Sequence, residues 1–165
     1  MNLKRIMPNS EQQKFMSAAI DLANDNVRSG AGGPFGAVVV LNGEIIARAG
    51  NRVTVDNDPT AHAEVIAIRE ACKKLGTFQL EDCEIYCSCE PCPMCLGAIY
   101  WARPARVFFA ADRHDAANAE FDDSFIYEEL NLDNENRSIP MKQFMRNEAL
   151  IVFDHWKDSN LKIPY

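Results

Sequence analysis

Two short segments constrain the fold of this 165-residue chain more than any other feature. The first places His62 two residues before Glu64, and the second places Cys92 three residues before Cys95, with a proline on each side of Cys92. One imidazole and two thiolates are ligands that Zn²⁺ takes, and three protein ligands leave the fourth tetrahedral position for a water. A structural site would be closed by a fourth Cys or His, which does not recur at zinc-finger spacing. The fold must therefore bring both segments to one catalytic zinc ion per chain.

Glu64 is the only carboxylate in the His62 turn, and this position suits it to proton transfer. Zinc lowers the pKa of a bound water towards neutrality, and a nearby base must collect the proton. Glu64 can take that proton and pass it to a ring nitrogen and then to a leaving amine. The expected reaction is hydrolysis of an amidine-like C–NH₂ group with release of ammonia. His-x-Glu followed by Pro-Cys-x-x-Cys is the signature of zinc nucleobase deaminases.

The other cysteines have a simpler interpretation. No apolar segment follows the basic residues in residues 1–8, so we expect a cytoplasmic protein with reduced thiols. Cys89 and the two metal cysteines resemble the start of an iron–sulfur motif, but the fourth Cys followed by Pro is missing, and His62 would be unexplained. Three cysteines are interpreted as small buried side chains: Cys72, Cys83 and Cys87.

Composition narrows the class of protein. A chain of this length that is 47% hydrophobic suits one domain spanning residues 1–165, without a membrane span. The net charge of −7 argues against partners held mainly through phosphates, because such binding requires Lys and Arg. We therefore expect neither a membrane nor a long nucleic acid as partner.

Hydrophobic periodicity predicts strands alternating with helices after an opening hairpin, whose turn is Asn42-Gly43. Thr60 is the expected N-cap of the helix that carries His62 and Glu64 in its first turn. The pattern predicts an α/β fold, a three-layer α/β/α sandwich with a central mixed five-stranded sheet. The predicted helices cover residues 11–28, 60–75, 94–102, 116–119 and 124–130, with a short helix and tail in residues 154–165. The predicted strands cover residues 35–41, 44–50, 83–88, 106–111 and 149–153.

Four segments resemble bacterial guanine deaminases, a family of the cytidine-deaminase-like superfamily; they are residues 33–38, 57–65, 88–104 and 121–127. The resemblance implies hydrolysis of guanine, a small purine base, to xanthine and ammonia. It also implies that Asn51 binds the base and that Asp123 is a second carboxylate near the exocyclic amine. Considered alone, Asn51 is equally well explained as a turn residue, and Asp123 would be interpreted as a surface residue.

The resemblance has two further implications. Phe35 and Trp101 lie near the motifs and are candidates to line the base pocket, although core packing explains them equally well. The family is dimeric, which implies a homodimer in which the C-terminal segment, residues 131–165, is exchanged and closes over the partner's site. The similarity is thin in this segment apart from the terminal Tyr165, which is a candidate substrate-binding residue.

Two alternatives remain open from the sequence. The same chemistry could act on cytosine, on another aminated heterocycle or nucleoside, or on adenosine in tRNA. In a different class, the chain could be a non-catalytic module with a closed zinc site.

Overall fold

The computed structural model describes residues 9–165, so the expectation for residues 1–8 lies outside the described part of the chain. The chain divides into two compact units, Met1–Asp123 and Ser124–Tyr165. The elements of the first unit follow the predicted order of helices and strands, apart from a four-residue helix at residues 53–56 that was not predicted. They are α1 (Ser10–Ser29), β1 (Gly36–Leu41), β2 (Glu44–Gly50), α2 (Val53–Asp56), α3 (Ala63–Leu75), β3 (Cys83–Cys89), α4 (Pro93–Ala102), β4 (Arg106–Ala111) and α5 (Arg113–Asn118).

The strands form one mixed sheet in the order β2-β1-β3-β4. β1 is antiparallel to both β2 and β3, whereas β3 and β4 are parallel and joined through α4. Asn42 and Gly43 have φ values of 51° and 79°, and this left-handed backbone is what a two-residue hairpin turn requires. The predicted opening hairpin is confirmed.

Alternating residues of β1 face two different helix layers. Val38 and Val40 pack with Phe15 of α1, whereas Ala37 and Val39 belong to a second cluster that includes residues of α3 and α4. Because both faces of β1 are covered, nearly all of its side chains are buried. The first unit therefore has the three-layer α/β/α arrangement expected from the sequence.

The helix that carries His62 begins later than predicted. Its N-cap is His62, and the expected cap Thr60 instead donates its hydroxyl to Asp58 Oδ1 at 2.7 Å. The Thr60 amide donates to the same oxygen at 2.8 Å, which forms a turn ahead of the helix. The prediction of Thr60 as the cap was wrong because the turn with Asp58 includes Thr60 and delays the start of the helix by two residues.

The second unit contains α6 (Ser124–Leu130), a short 3₁₀ helix (Asn134–Asn136) and α7 (Arg146–Asp158). The strand predicted at residues 149–153 is wrong, because this run lies inside α7. A five-residue apolar run does not by itself distinguish a strand from a helix, and here the polar flanks extend it into thirteen helical residues. The sheet of residues 9–165 consequently has four strands and not five.

None of the helices between residues 9 and 165 is long and apolar enough to cross a membrane.

Candidate metal centre

His62 and Cys92 occupy the N-cap positions of α3 and α4. Neither side chain caps its own helix, so both remain available to a shared ligand. Cys95 lies one turn into α4 and is fully buried. The positive ends of two helix dipoles therefore meet at this group, and they favour negatively charged thiolates.

The distances within the group match a tetrahedral metal site. His62 Nδ1 lies 3.6 Å from Cys92 Sγ and 3.4 Å from Cys95 Sγ. Zinc bonds of about 2.0–2.1 Å to nitrogen and 2.3 Å to sulfur would separate these atoms by about 3.6 Å at a tetrahedral angle. All three candidate ligand atoms lie within 4.8 Å of one another. The predicted convergence of the two segments is confirmed.

Hydrogen bonds among His62, Cys92 and Cys95 stabilise one thiolate, and a thiolate favours the binding of a metal cation. The Cys95 thiol and the His62 imidazole lower the pKa of Cys92 to about 4 by hydrogen bonding to its thiolate. The same interaction with Cys92 raises the pKa of Cys95, and burial adds to the effect. Hydrogen bonding to Cys92 also raises the pKa of His62. One thiolate is thus already stabilised here, as a zinc ligand must be.

Glu64 lies in the first turn of α3 with only 7% of its surface exposed. Burial raises the pKa of its carboxyl group, and the negative charge of Cys92 raises it further. Cys95 and His62 partly offset this rise in the pKa of Glu64, which is consistent with a carboxyl group beside the candidate ligands. A buried carboxylate whose pKa is raised towards neutrality suits general acid–base chemistry.

The other cysteines lie outside this group. Cys89 is buried, and its thiol donates to the carbonyl of Asp112 at 3.5 Å. Burial raises the pKa of Cys89 to about 11, which opposes a role as a thiolate ligand. Cys83 and Cys87 pack in the core beneath α3, as predicted for small buried side chains, and Cys72 packs partly buried against it. The iron–sulfur interpretation therefore finds no support among the described residues.

Asn51 follows β2 and is held close to the His62 loop, because the next amide, of Arg52, donates to the carbonyl of Ala61 at 2.9 Å. Asn51 is 6% exposed, and its Oδ1 accepts from the amides of Gly33 at 3.4 Å and Val53 at 3.2 Å. These contacts fix which side-chain atom is oxygen. Nδ2 makes no hydrogen bond with any residue in the described range. Asn51 therefore acts as a turn residue through Oδ1, and its Nδ2 group can donate to a ligand.

Asp123 is half-buried at the end of the first unit. Burial raises the pKa of its carboxyl group, and the nearby negative charge of Cys92 adds to the shift. The carboxylate is therefore within electrostatic reach of the metal group, unlike a fully solvated surface residue. Phe121 anchors this segment by packing edge-on against Phe35, with ring centroids 4.9 Å apart. Phe35 also packs against the core below α3, so both interpretations of this residue have support.

The remaining two candidates, Trp101 and Tyr165, are exposed aromatic residues. Trp101 lies six residues after Cys95 near the end of α4, about 9 Å farther along the helix axis. Its side chain is 64% exposed, which rules out core packing within residues 9–165. Tyr165 belongs to the second unit and is 70% exposed. Their pocket roles stay predictions.

One residue near the site escaped sequence analysis. Asn26 continues the buried stripe of α1 formed by Phe15, Ala19 and Ala23, and its side chain contacts the backbone of Asn51. A polar residue on an otherwise apolar helix face was the available signal.

Comparisons with known proteins bear directly on this group of residues. The model of the cytidine and deoxycytidylate deaminase zinc-binding region matches residues 9–111, which include all three candidate ligands. This chain belongs to that deaminase family. As a family member it is a zinc-dependent enzyme, and the residue types and spacing at its candidate metal centre fit one Zn²⁺.

Within the family, this deaminase is 57% identical over 153 residues to guanine deaminase of Bacillus subtilis (strain 168), covering 93% of this chain and 98% of that protein. The X-ray structure of guanine deaminase from Bacillus subtilis is similar with a TM-score of 0.91 and 56% identity, covering 96% of this chain and 99% of that one. The chain is also 45% identical over 102 residues to tRNA-specific adenosine deaminase of Bacillus subtilis (strain 168), covering 62% of this chain and 63% of that protein.

Proposed function

We propose that this enzyme hydrolyses guanine to xanthine and ammonia. The observation that carries the proposal is the similarity to a guanine deaminase over nearly the whole length of both chains. The reaction consumes one water, breaks the bond between the ring carbon and its exocyclic amine, and leaves a carbonyl at that carbon.

His62, Cys92 and Cys95 hold the zinc ion in this proposal. When bound, zinc acidifies a coordinated water so that it can attack at neutral pH. Glu64 accepts the proton from that water on its carboxylate. It passes this proton to the ring nitrogen beside the reacting carbon. When the new hydroxyl group on that carbon becomes a carbonyl, Glu64 takes up its proton and passes it to the departing amine, which leaves as ammonia. The burial of Glu64 supports this role, because it keeps bulk water away from the proton that is being transferred.

Asn51 and Asp123 supply selectivity for guanine. Guanine carries an acceptor at O6, a donor at N1 and an exocyclic amine, and this combination requires both an amide donor and a carboxylate acceptor. The available Nδ2 of Asn51 suits O6, and Asp123 can accept from the amine and take part in its protonation. Phe35 offers a ring face or edge to the base, and Trp101 stays a weaker candidate because of its position on α4.

The functional form of the enzyme is a homodimer whose chains exchange the C-terminal segment, residues 131–165. Apolar side chains on both units support this proposal: Phe144 is 84% exposed and Leu161 is 90% exposed in the second unit, and Tyr100 and Phe109 are exposed in the first. Apolar surface of this extent is usually covered by a partner. Tyr165 would then reach the base in the partner's site. None of the six cysteines is paired in a disulfide, which supports a cytoplasmic location.

The principal alternative is deamination of adenosine in tRNA, because one relative with that activity is 45% identical. That alignment covers only 62% of this chain, and the net charge of −7 opposes binding to a polyanion. A non-catalytic zinc module is opposed by Glu64, since a buried carboxylate beside a three-ligand metal group has a cost and no structural use. Another free base, such as cytosine, is the remaining competitor.

Ammonia release from a panel of free bases, nucleosides and tRNA tests the proposal. Guanine should be consumed with stoichiometric formation of xanthine and ammonia. Release of ammonia from adenosine in tRNA, with none from guanine, would contradict it. Absence of release from every compound by zinc-loaded enzyme would favour the binding module.

A further inference from the structure

Asn26 of α1 joins two backbone segments that lie against the site. Its side-chain Nδ2 donates to the carbonyl of Asn51 at 2.7 Å and to the carbonyl of Gly33 at 3.2 Å. The main-chain carbonyl of Asn26 accepts from the amide of Ala31 at 3.1 Å. One residue therefore ties the glycine-rich turn at residues 30–33 to the end of β2.

This tie closes a ring of hydrogen bonds around the Asn51 side chain. The amide of Gly33 donates to Asn51 Oδ1, as does the amide of Val53. The orientation of the Asn51 amide, and with it the direction of Nδ2, depends on where these two N–H groups lie. Asn26 bonds the carbonyl groups of Gly33 and Asn51, so it holds the backbone on both sides of the hydrogen bond from the Gly33 amide to Asn51 Oδ1.

Neighbouring glycines show how closely the ring is packed. A Cβ atom on Gly50 would lie 2.5 Å from Asn26 Oδ1, and a Cβ atom on Gly32 would lie 2.0 Å from the carbonyl oxygen of Asn51. Real Cβ atoms do not approach that closely, so a side chain at Gly50 would displace the Asn26 amide, and one at Gly32 would push against the Asn51 backbone. The backbone at residues 32–33 and 50–51 therefore packs directly against the Asn26 side-chain amide.

We propose that Asn26 is a positioning residue that acts through Asn51 to select and bind the base. The inference rests on the proposed role of Asn51 in binding guanine. The side-chain hydrogen bonds of Asn26 go to the backbone of Gly33 and Asn51 and not to the zinc ligands or Glu64, so we expect metal binding and proton transfer to be kept when Asn26 is changed. Its loss should raise KM for guanine and leave kcat nearly unchanged, because Asn51 binds the base similarly before and during the reaction.

A double-mutant cycle with Asn26→Asp and Asn51→Asp tests the inference. Asn26→Asp keeps the shape but sets a carboxylate oxygen against two carbonyls, and Asn51→Asp keeps the two accepted hydrogen bonds but removes the Nδ2 donor. Asn24→Asp is the matched control, because it makes the same change on an exposed side chain of the same helix. Zinc content and the unfolding midpoint are measured for every variant.

Each single change at Asn26 or Asn51 should raise KM about tenfold, which corresponds to one hydrogen bond. Asn24→Asp should change KM less than about twofold, and Asn26→Asp should add less than about twofold in the Asn51→Asp background, since residues that act through one another are not additive. If Asn26→Asp loses zinc or unfolds, Asn26→Ala replaces it in the cycle, because alanine places no charge against the carbonyls.

Two results would overturn the inference: an unchanged KM for the Asn26 variant, or the same rise in KM with and without Asn51. In both cases Asn51→Asp alone still raises KM, so the proposed role of Asn51 survives. An unchanged KM for Asn51→Asp alone would instead reject the proposed role of Asn51, and the inference about Asn26 would fall with it.

Discussion

The side chains of Cys92 and Cys89 differ in what their sulfur atoms contact, although they are three residues apart. Cys92 lies against His62, whereas Cys89 bonds the Asp112 carbonyl. Metal analysis of purified protein should therefore give one zinc per chain for the wild type and for Cys89→Ala, and less than about one tenth of that for Cys92→Ala. A full complement of zinc in Cys92→Ala would show that the ligand set is wrong.

Glu64→Gln changes one carboxylate oxygen into an amide nitrogen and nothing else in the outline of the side chain. The amide cannot accept the proton of water, so kcat should fall at least about 100-fold while zinc content and the unfolding midpoint are kept. The measurement is steady-state ammonia release at equal zinc occupancy. A rate within a few-fold of the wild type would remove Glu64 from the proton pathway.

For individual site residues, the sequence was informative only where residue types and spacing are enough to identify a metal ligand. His62, Cys92 and Cys95 could be predicted because zinc imposes ligand types and a short Cys-x-x-Cys spacing, and the helix starts bring them together. The second role of Asn51, and the existence of Asn26 as its support, depend on contacts between residues 25 positions apart. The polar Asn26 on an otherwise apolar face of α1 was the available local signal, but no local pattern identifies a partner 25 positions away.

α1 lies so close to β1 that only glycine fits at the start of the strand. A Cβ atom on Gly36 would lie 2.2 Å from the main-chain oxygen of Ala19 and 2.8 Å from Leu22 Cβ. Gly36→Ala should therefore lower the free energy of unfolding by about 1–3 kcal/mol, because the helix must move outward. The measurement is denaturant unfolding of the zinc-loaded protein.

Gly97→Ala in α4 is the matched control for that prediction. No atom of a neighbouring element among residues 9–165 lies within 4 Å of its added Cβ, and alanine is the better helix former, so stability should be unchanged or rise by up to about 1 kcal/mol. Equal stability of Gly36→Ala and the wild type would show that the contact between α1 and β1 can relax freely.

Element types were predictable where length and periodicity agreed. α1 has 20 residues with a regular buried stripe, and the hairpin has a turn sequence with a defined backbone requirement. The strand prediction for residues 149–153 was wrong because length and periodicity did not decide between element types there. Five consecutive apolar residues fit either a strand or a helix. Their surroundings in α7 include the pair Asp154 and Lys157, 2.8 Å apart, at a helical spacing of three.

Exchange of the C-terminal segment can be tested by mixing two defective chains. One chain carries Glu64→Gln with an intact C-terminal segment, and the other lacks residues 161–165 but keeps an intact metal site. If segments are exchanged, each chain alone should be nearly inactive, and the co-expressed pair should regain activity because the Glu64→Gln chain supplies its segment to the truncated one.

Light scattering of the wild type should give a dimer with twice the mass of one 18.5 kDa chain. This measurement is the control for the mixing experiment, because exchange requires a dimer. A fully active monomer, or a mixture no more active than its separate components, would contradict the exchange. Zinc content and unfolding of the truncated chain should remain near those of the wild type, because residues 161–165 are exposed.

The central claim concerns the whole enzyme and its choice of base. A site built to pair O6 and the exocyclic amine of guanine leaves polar groups unpaired with other bases, at about 1–3 kcal/mol for each group. Two or three such mismatches give discrimination of roughly 10²–10⁴ in kcat/KM. The direct test is competition between guanine and cytosine, cytidine or adenine on one zinc-loaded preparation. Guanine should be preferred at least about 100-fold over each competitor, and a kcat/KM for any of them equal to or above that for guanine would contradict the account.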